Sequence, residues 1–371
     1  MKKRTAFLSL ILLFVLLAGY AAAAGGDAGD PLISLSFLNG AFRTQAEEQI
    51  DDAVDKADSA ALAQAKERWT AAVASAEAHA GSDFAAVMTE TRVKQGDVLS
   101  GATGLQVLPL AGEVTVSFSS GAVVDVTDGR ELSSGETLPV NHRALVAEDT
   151  TALFTVASRT AVVDYAGGYH FTLSERPDYN AMAAALKSLS LFRGTDTGFG
   201  GGYDLERTPT RAEAIVMLIR MLGEEEAALR CTGSHPFTDV PDWCASYVAY
   251  AYEKGYSNGI GDGLFGTQLE ASAAMYTEFI LRALDRSSTA ATDISDAPDR
   301  ACAAGVLTAG ERDALRSAPF LRADVVYLSY YALSASVNDG GELSRRLIDA
   351  GVFTEEAYRA AQGTVTSARI A

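Results

Sequence analysis

Thr210-Arg211-Ala212-Glu213 puts a cation at a point in the chain where helix electrostatics oppose one. Thr210 stands where a helix N-cap should stand, and Glu213 three residues on completes the spacing of a capping box. Pro209 keeps the chain extended just before it. Ile215, Leu218, Ile219 and Leu222 then recur as a buried helical stripe. Arg211 therefore falls in the first turn, where the positive end of the helix dipole disfavours a cation. A guanidinium there, beside backbone N–H groups with no partner inside the helix, is suited to cradling an anion. The competing reading is a solvated arginine paired to a carboxylate, and the residue types leave both open. Leu321-Arg322-Ala323-Asp324 repeats the plan with a cation and an acid but without the capping hydroxyl, whereas Ser272-Ala273-Ala274-Met275 lacks both charges.

Other chemistry is thin. No Gly-x-Ser-x-Gly, His-Glu-x-x-His or Cys/His motif precedes residue 179, so a nucleophile with its base has no sequence support and no enzyme is expected. His79, His142, His170 and His235 are scattered and read as surface or structural residues. No His/Cys cluster has zinc-like spacing, so neither a metal nor a cofactor is expected. Asp125, Asp128, Asp149 and Asp164 sit beside turns, where Asp commonly bonds the local backbone; a calcium or carbohydrate site among them is the sharper reading. Cys231 and Cys244 flank a loop with Gly233 and Pro236 and could oxidise together in an exported chain. Three cysteines do not make a paired framework, however, and reduced thiols are the other reading. The formal net charge of −18 argues against nucleic acid. It also requires any anionic ligand to be held by a few local basic groups against an unfavourable field.

These residues must be positioned by elements of three kinds. Met1-Lys2-Lys3-Arg4, an apolar run over 6–17 and small residues at 21–24 form the pattern of a cleaved signal over 1–24. The apolar run is shorter than the roughly 20 residues of a membrane-spanning helix, so no membrane association is expected once the signal is cleaved. A Gly/Asp-rich leader follows. Between 43 and 80 there is no Gly or Pro, and Ile50, Val54, Ala57, Ala61, Ala65, Trp69 and Val73 mark one face of a long helix or a helical hairpin. From 83 to about 169, alternation such as Val114, Val116 and Phe118 against Thr115, Ser117 and Ser119, with Gly turns at 129, 135 and 167–168, predicts short strands in a sandwich or barrel. Beyond Arg176-Pro177-Asp178-Tyr179 the pattern is helical. Three segments share the order helix, Gly-containing loop, helix with a short polar start, a repeat of about 50 residues in which each unit must pack on its neighbours. The fold class is α+β.

The ordered set of motifs resembles the S-layer homology (SLH) family, in a clostridial-type variety. Thr210-Arg211-Ala212-Glu213 matches its TRAE motif, Phe237-Thr238-Asp239-Val240 with Trp243 its opening, and Gly255, Gly259, Gly261 and Phe265-Gly266 its central loop. On this resemblance the chain divides into a signal (1–24), a leader and helical segment (25–82), a small β-domain (83–176), repeats at 177–236, 237–290 and 291–336, the last degenerate, and a helical cap (337–371). The resemblance implies an all-α, pseudo-threefold repeat bundle whose grooves bind a secondary cell-wall polysaccharide, often one with a pyruvylated sugar. It implies a surface protein anchored non-covalently in the wall or S-layer. Carried onto this sequence, the polysaccharide-binding residues are Arg211, Glu213, Asp239, Trp243, Gly259, Gly261 and Arg322. Asp239 would bond sugar hydroxyls or cap the following helix; Trp243 would face a sugar ring or pack inside the bundle; Gly259 and Gly261 would admit the ligand or supply positive φ. The alternatives are a β-domain acting as an adhesin or ligand-binding module, and a wall-active hydrolase anchored by the repeats. Self-assembly stays open.

Overall fold

The computed structural model describes residues 38–79, 83–285, 293–338 and 340–371. The signal expected over 1–24 and most of the leader lie outside them. No helix among the described residues is long and apolar enough to cross a membrane. The chain falls into two units, 1–74 and 75–371. In the first, a π-helical turn at Leu38–Phe42 leads into α1 (Arg43–His79), one continuous helix rather than a hairpin. With no Gly or Pro to stop it, hydrogen bonding continues for 37 residues, about 55 Å at the usual rise per residue. Of the apolar face read over 50–73, Ile50, Val54 and Trp69 are exposed rather than packed.

The second unit begins with nine strands: β1 (Asp83–Lys94), β2 (Val98–Gly101), β3 (Gln106–Ala111), β4 (Val114–Ser117), β5 (Ala122–Asp125), β6 (Arg130–Glu131), β7 (Ala144–Ala147), β8 (Ala152–Val156) and β9 (Thr160–Thr172). They form one antiparallel sheet in the order β4-β8-β2-β9-β3-β7-β5-β6, with β1 also on β9. The result is a curled half-barrel rather than a closed barrel or a two-sheet sandwich. The long β9 is its spine. Thr160 to Tyr169 pair with β1, Val162 to Ala166 pair with β3, and His170 to Thr172 pass on to β2. The hand-over runs through Gly167, whose φ of +106° and close approach to the Gly104 carbonyl exclude a side chain. The alternation read from the sequence is present: Val114 and Val116 point into a core with Leu105, Val107, Val146 and Phe154, while Thr115 and Ser117 point out.

The helical part comprises α2 (Tyr179–Ser188), α3 (Arg211–Met221), α4 (Glu225–Leu229), α5 (Asp242–Glu253), α6 (Ala273–Ala283), α7 (Ala297–Ala303), α8 (Ala309–Ser317), α9 (Arg322–Ala332), α10 (Leu343–Asp349) and α11 (Glu355–Gly363). One continuous apolar core joins them, including Leu186, Ile215, Leu218, Phe279, Val325 and Leu347. The C-terminal tail folds back into it. Arg369 pairs with buried Glu311 at 2.6 Å, the Tyr327 hydroxyl accepts from Ile370 N, and Ser367 Oγ accepts from Asp178 N at the start of α2. Two arginines tie the sheet to the helices. Arg92 on β1 donates to Asn180, Gly200 O and Glu206, and Arg159 before β9 donates to Pro319 O and pairs with Asp324.

Candidate functional site

Helix α3 starts as its spacing predicts. Thr210 has extended backbone, its Oγ1 accepts from Glu213 N at 3.3 Å, and Glu213 Oε2 accepts from Thr210 N at 2.8 Å. Arg207 completes the arrangement with a fork onto Glu213, Nη2 to Oε1 at 2.6 Å and Nη1 to Oε2 at 2.9 Å. Burial works against the ionised carboxylate, but the Arg207 fork and the Thr210 amide outweigh it and hold Glu213 down at about 2. Both oxygens of Glu213 are thus committed within the protein.

Arg211 is only 3% exposed. Its backbone N–H donates to Leu269 O at 2.7 Å, docking the start of α3 on the loop between α5 and α6. Its Nη2 donates to Ser257 Oγ at 2.7 Å and to Gly259 O at 3.3 Å, and the guanidinium carbon lies 5.0 Å and 5.1 Å from the ring centres of Phe265 and Phe279. The Nε is enclosed and has no hydrogen-bond partner. No carboxylate lies within ion-pair distance of Arg211 among the described residues, which rules out the solvated, paired arginine. Burial pushes its pKa down to about 10, Arg282 adds to that, and Asp239 opposes it. The site is a largely desolvated cation at a helix N-terminus, held by neutral groups and two aromatic faces.

The loop that receives Arg211 is closed by Asp239. One oxygen accepts from Phe265 N at 2.7 Å; the other accepts from Gly266 N at 2.7 Å and Thr267 N at 3.1 Å. Those amides hold the carboxyl below its ordinary range in spite of its burial. Asp239 neither caps α5, whose N-cap is Pro241, nor keeps an oxygen clear of the loop amides. Gly259 has φ +77°, and a Cβ there would meet the Phe237 ring and, at 2.5 Å, Leu264 O, so packing within the loop requires glycine. Gly261 has φ +103° with open space on its Cβ side. Trp243, at the second position of α5, is 55% exposed rather than packed inside the bundle, and Ile260, Leu264 and Leu269 add exposed apolar surface on the same loop.

Arg322 repeats the docking. Its N–H donates to Arg207 O at 2.9 Å and Ala323 N to Leu205 O at 3.0 Å, as Arg211 and Ala212 do to Leu269 and Thr267. Its Nη1 lies 3.5 Å from Met217 Sδ, its Nε 4.0 Å from Asp204 Oδ2, and its guanidinium 6.0 Å from the Phe192 ring centre. Burial, then Arg207, push it down to about 10. At the third helix start, Ser272 Oγ accepts from Met275 N and Ala273 stands where the other two helices carry arginine. Ser257 and Phe279, 46 and 68 residues from Arg211, carry much of this geometry and have no mark in the sequence, because nothing local ties a residue to so distant a partner; Arg207 and Asp204 were within reach of the Thr210–Glu213 motif but carry no motif of their own. The sulfurs of Cys231 and Cys244 are not joined: Cys231 lies against Glu253, and Cys244 is buried against Pro241 O.

Residues 236–272 match the S-layer homology domain family. That segment contains Asp239, Trp243, Ser257, Gly259, Gly261 and Phe265, so it takes in the whole loop on which Arg211 is docked. The chain is similar to the "Cell surface protein" of Thermoanaerobacter kivui, 31% identical over 149 residues, which is 39% of this chain and 19% of that protein. It is also similar to the "Middle cell wall protein" of Brevibacillus brevis, 34% identical over 106 residues, 28% of this chain and 10% of that one. The matched stretches span less than a fifth of the length of these relatives.

Proposed function

Because the chain carries an S-layer homology segment, we propose that it is a surface protein anchored non-covalently to the bacterial cell wall, and that the Arg211 groove binds an anionic secondary wall polysaccharide, pyruvylated at the sugar that meets the cation. The observation that carries this reading is Arg211 itself. A desolvated guanidinium with an orphaned Nε and no carboxylate partner is a favourable place for a carboxylate ligand. The repeats at 177–236, 237–290 and 291–336 form a pseudo-threefold bundle in this reading. Two of its three motif helices make the same pair of backbone bonds to a neighbouring loop, and the helix at Ser272 completes the ring without a charge. The chain works as an anchor rather than an enzyme. It is exported by the signal over 1–24 and holds α1 and the half-barrel at the surface.

The test is sedimentation of the purified chain with wall material, before and after the secondary polymer is stripped. Truncating Arg211 to Ala would open a cavity between Phe265 and Phe279, so Arg211→Met, which keeps volume and removes charge, is the informative variant. Binding to intact walls should fall by about tenfold or more, with the melting temperature unchanged or raised. Undiminished binding of Arg211→Met, or equal binding to stripped walls, refutes the assignment.

A further inference from the structure

The turns at the far end of the half-barrel bring together three metal-binding side chains that the sequence keeps apart. Asp125 ends β5 and is fully buried. Asp128 lies in the turn to β6, and His142 sits just ahead of β7. The antiparallel register sets them face to face: Asp125 pairs with Ala144, and Val126 N donates to Arg143 O at 2.8 Å. His142 Nδ1 lies 2.8 Å from Asp125 Oδ2 and 3.6 Å from Asp128 Oδ2, and the three ligand atoms all lie within 4.8 Å of one another.

A single ring nitrogen can give its proton to only one of two carboxylates. Asp125 Oδ1 is occupied by the amides of Thr127 and Asp128, which aim Oδ2 at the imidazole. The Asp128 carboxylate, half exposed, has no partner among the described residues closer than that same nitrogen. The imidazole thus faces more negative charge than its one proton balances. In a tetrahedral zinc site with bonds near 2.0–2.1 Å, neighbouring ligand atoms stand about 3.3 Å apart, and the two measured separations bracket that value. An imidazole donor disfavours calcium and magnesium, which take oxygen ligands. Two carboxylates with one imidazole suit a divalent transition metal. The half-exposed Asp128 leaves an entry path, and the acidic chain favours a cation.

We propose that Asp125, Asp128 and His142 bind one divalent transition-metal ion, zinc or a chemical neighbour, with water completing the coordination sphere. The ion takes the Nδ1 lone pair of a neutral imidazole whose proton sits on Nε2. It ties the β5–β6 turn to the strand entering β7, at the edge where β6 is only two residues long.

The experiment titrates chelator-treated full-length chain with zinc chloride by calorimetry, and with cobalt(II) followed by visible absorption, after alkylation of the accessible thiols Cys231 and Cys302, Cys244 being buried. One equivalent should bind, and the cobalt spectrum should show a nitrogen ligand. His142→Asn keeps a donor toward Asp125 without an imidazole lone pair, and Asp128→Asn alters only an exposed carboxylate; each should weaken binding by about tenfold or more while the fold is retained. Failure of the alkylated chain to bind either ion, or binding that both variants leave unchanged, overturns the site.

Discussion

The Arg211 and Arg322 docks use the same backbone bonds and different side chains. Arg211 rests on a hydroxyl, a carbonyl and two phenyl faces, with no carboxylate within ion-pair distance among the described residues. Arg322 rests on a thioether and one more distant ring, with Asp204 at 4.0 Å partly balancing its charge. The receiving loops differ in the same sense. The loop under Arg211 is clasped by Asp239, its tip is held by Thr238 N donating to Gly263 O at 2.9 Å, and Ile260 and Leu264 are left exposed. The loop under Arg322 closes through its own backbone, Thr195 N to Gly202 O at 2.6 Å, and its tip at Gly200 is held by Glu90 and Arg92 of β1. The motif therefore specifies a packing interface first. Of the two guanidinium groups, Arg211 is the one whose charge the protein balances less.

The largest way to break that contrast is to remove the clasp. Asp239→Ala strands three loop amides that a carboxylate now accepts. With charge-assisted bonds contributing about 1.5–3 kcal/mol each and not adding fully, the loss should be about 3–4 kcal/mol in urea unfolding. The other loop offers no equivalent target, since Thr195 closes it by main chain and its hydroxyl sits at a marginal 3.5 Å. Thr195→Ala should cost about 1 kcal/mol or less. Similar losses from both variants would mean that the loops close by the same means.

The acids at the third position of the two motif helices titrate in opposite directions. Glu213 is held at about 2, so the stability it contributes is present above its unfolded value near 4.3 and is lost as pH falls toward 2. Asp324 is pushed up to about 6 because burial outweighs the 3.1 Å contact from Arg159 and the Leu321 amide. Its ionisation is disfavoured in the fold, so stability should decline as pH rises from its unfolded value near 3.9 to about 6, and level off above. The decline should be about 3 kcal/mol. Asp324→Asn should flatten stability between pH 4.5 and 6, and Glu213→Gln should leave that window alone. A slope that survives Asp324→Asn assigns the titration to another group.

What the sequence made legible was local. The Thr210–Glu213 capping box, the helical character of 43–79, and the inward Val114 and Val116 each follow from residues a few positions apart, where spacing is geometry; that 43–79 is one helix and not a hairpin does not. Curling of the sheet was not legible, because it depends on one thirteen-residue strand changing partners at Gly167. Arg211 illustrates the same limit. Its first-turn position could be counted, but its burial is created by a loop 46 residues on. Asp239 resembled a ligand contact or a helix cap, and its amides lie 26 to 28 residues away. Asp125 and Asp128 stood out beside their turn, but His142 could not be joined to them, because only the β5–β7 register brings Asp125 to a histidine 17 positions later.

The smallest effect on stability separates the same two loops most finely. Pro177-Asp178-Tyr179 and Pro241-Asp242-Trp243 open α2 and α5 with the same pattern. Tyr179 is buried beside Tyr327, ring centres 5.5 Å apart, whereas Trp243 is exposed at the surface. Trp243→Ala should change unfolding free energy by about 0.5 kcal/mol or less, yet reduce wall binding several-fold if the indole covers a sugar ring. The chain has only one other tryptophan, Trp69, so in a Trp69→Phe background the emission reports on Trp243 alone. Adding solubilised wall polysaccharide should shift that emission to shorter wavelength as the exposed indole loses water, and Arg211→Met should abolish the shift. An emission spectrum indifferent to the polymer, in a chain that still sediments with walls, would remove Trp243 from the groove and leave Arg211 as its recognition element.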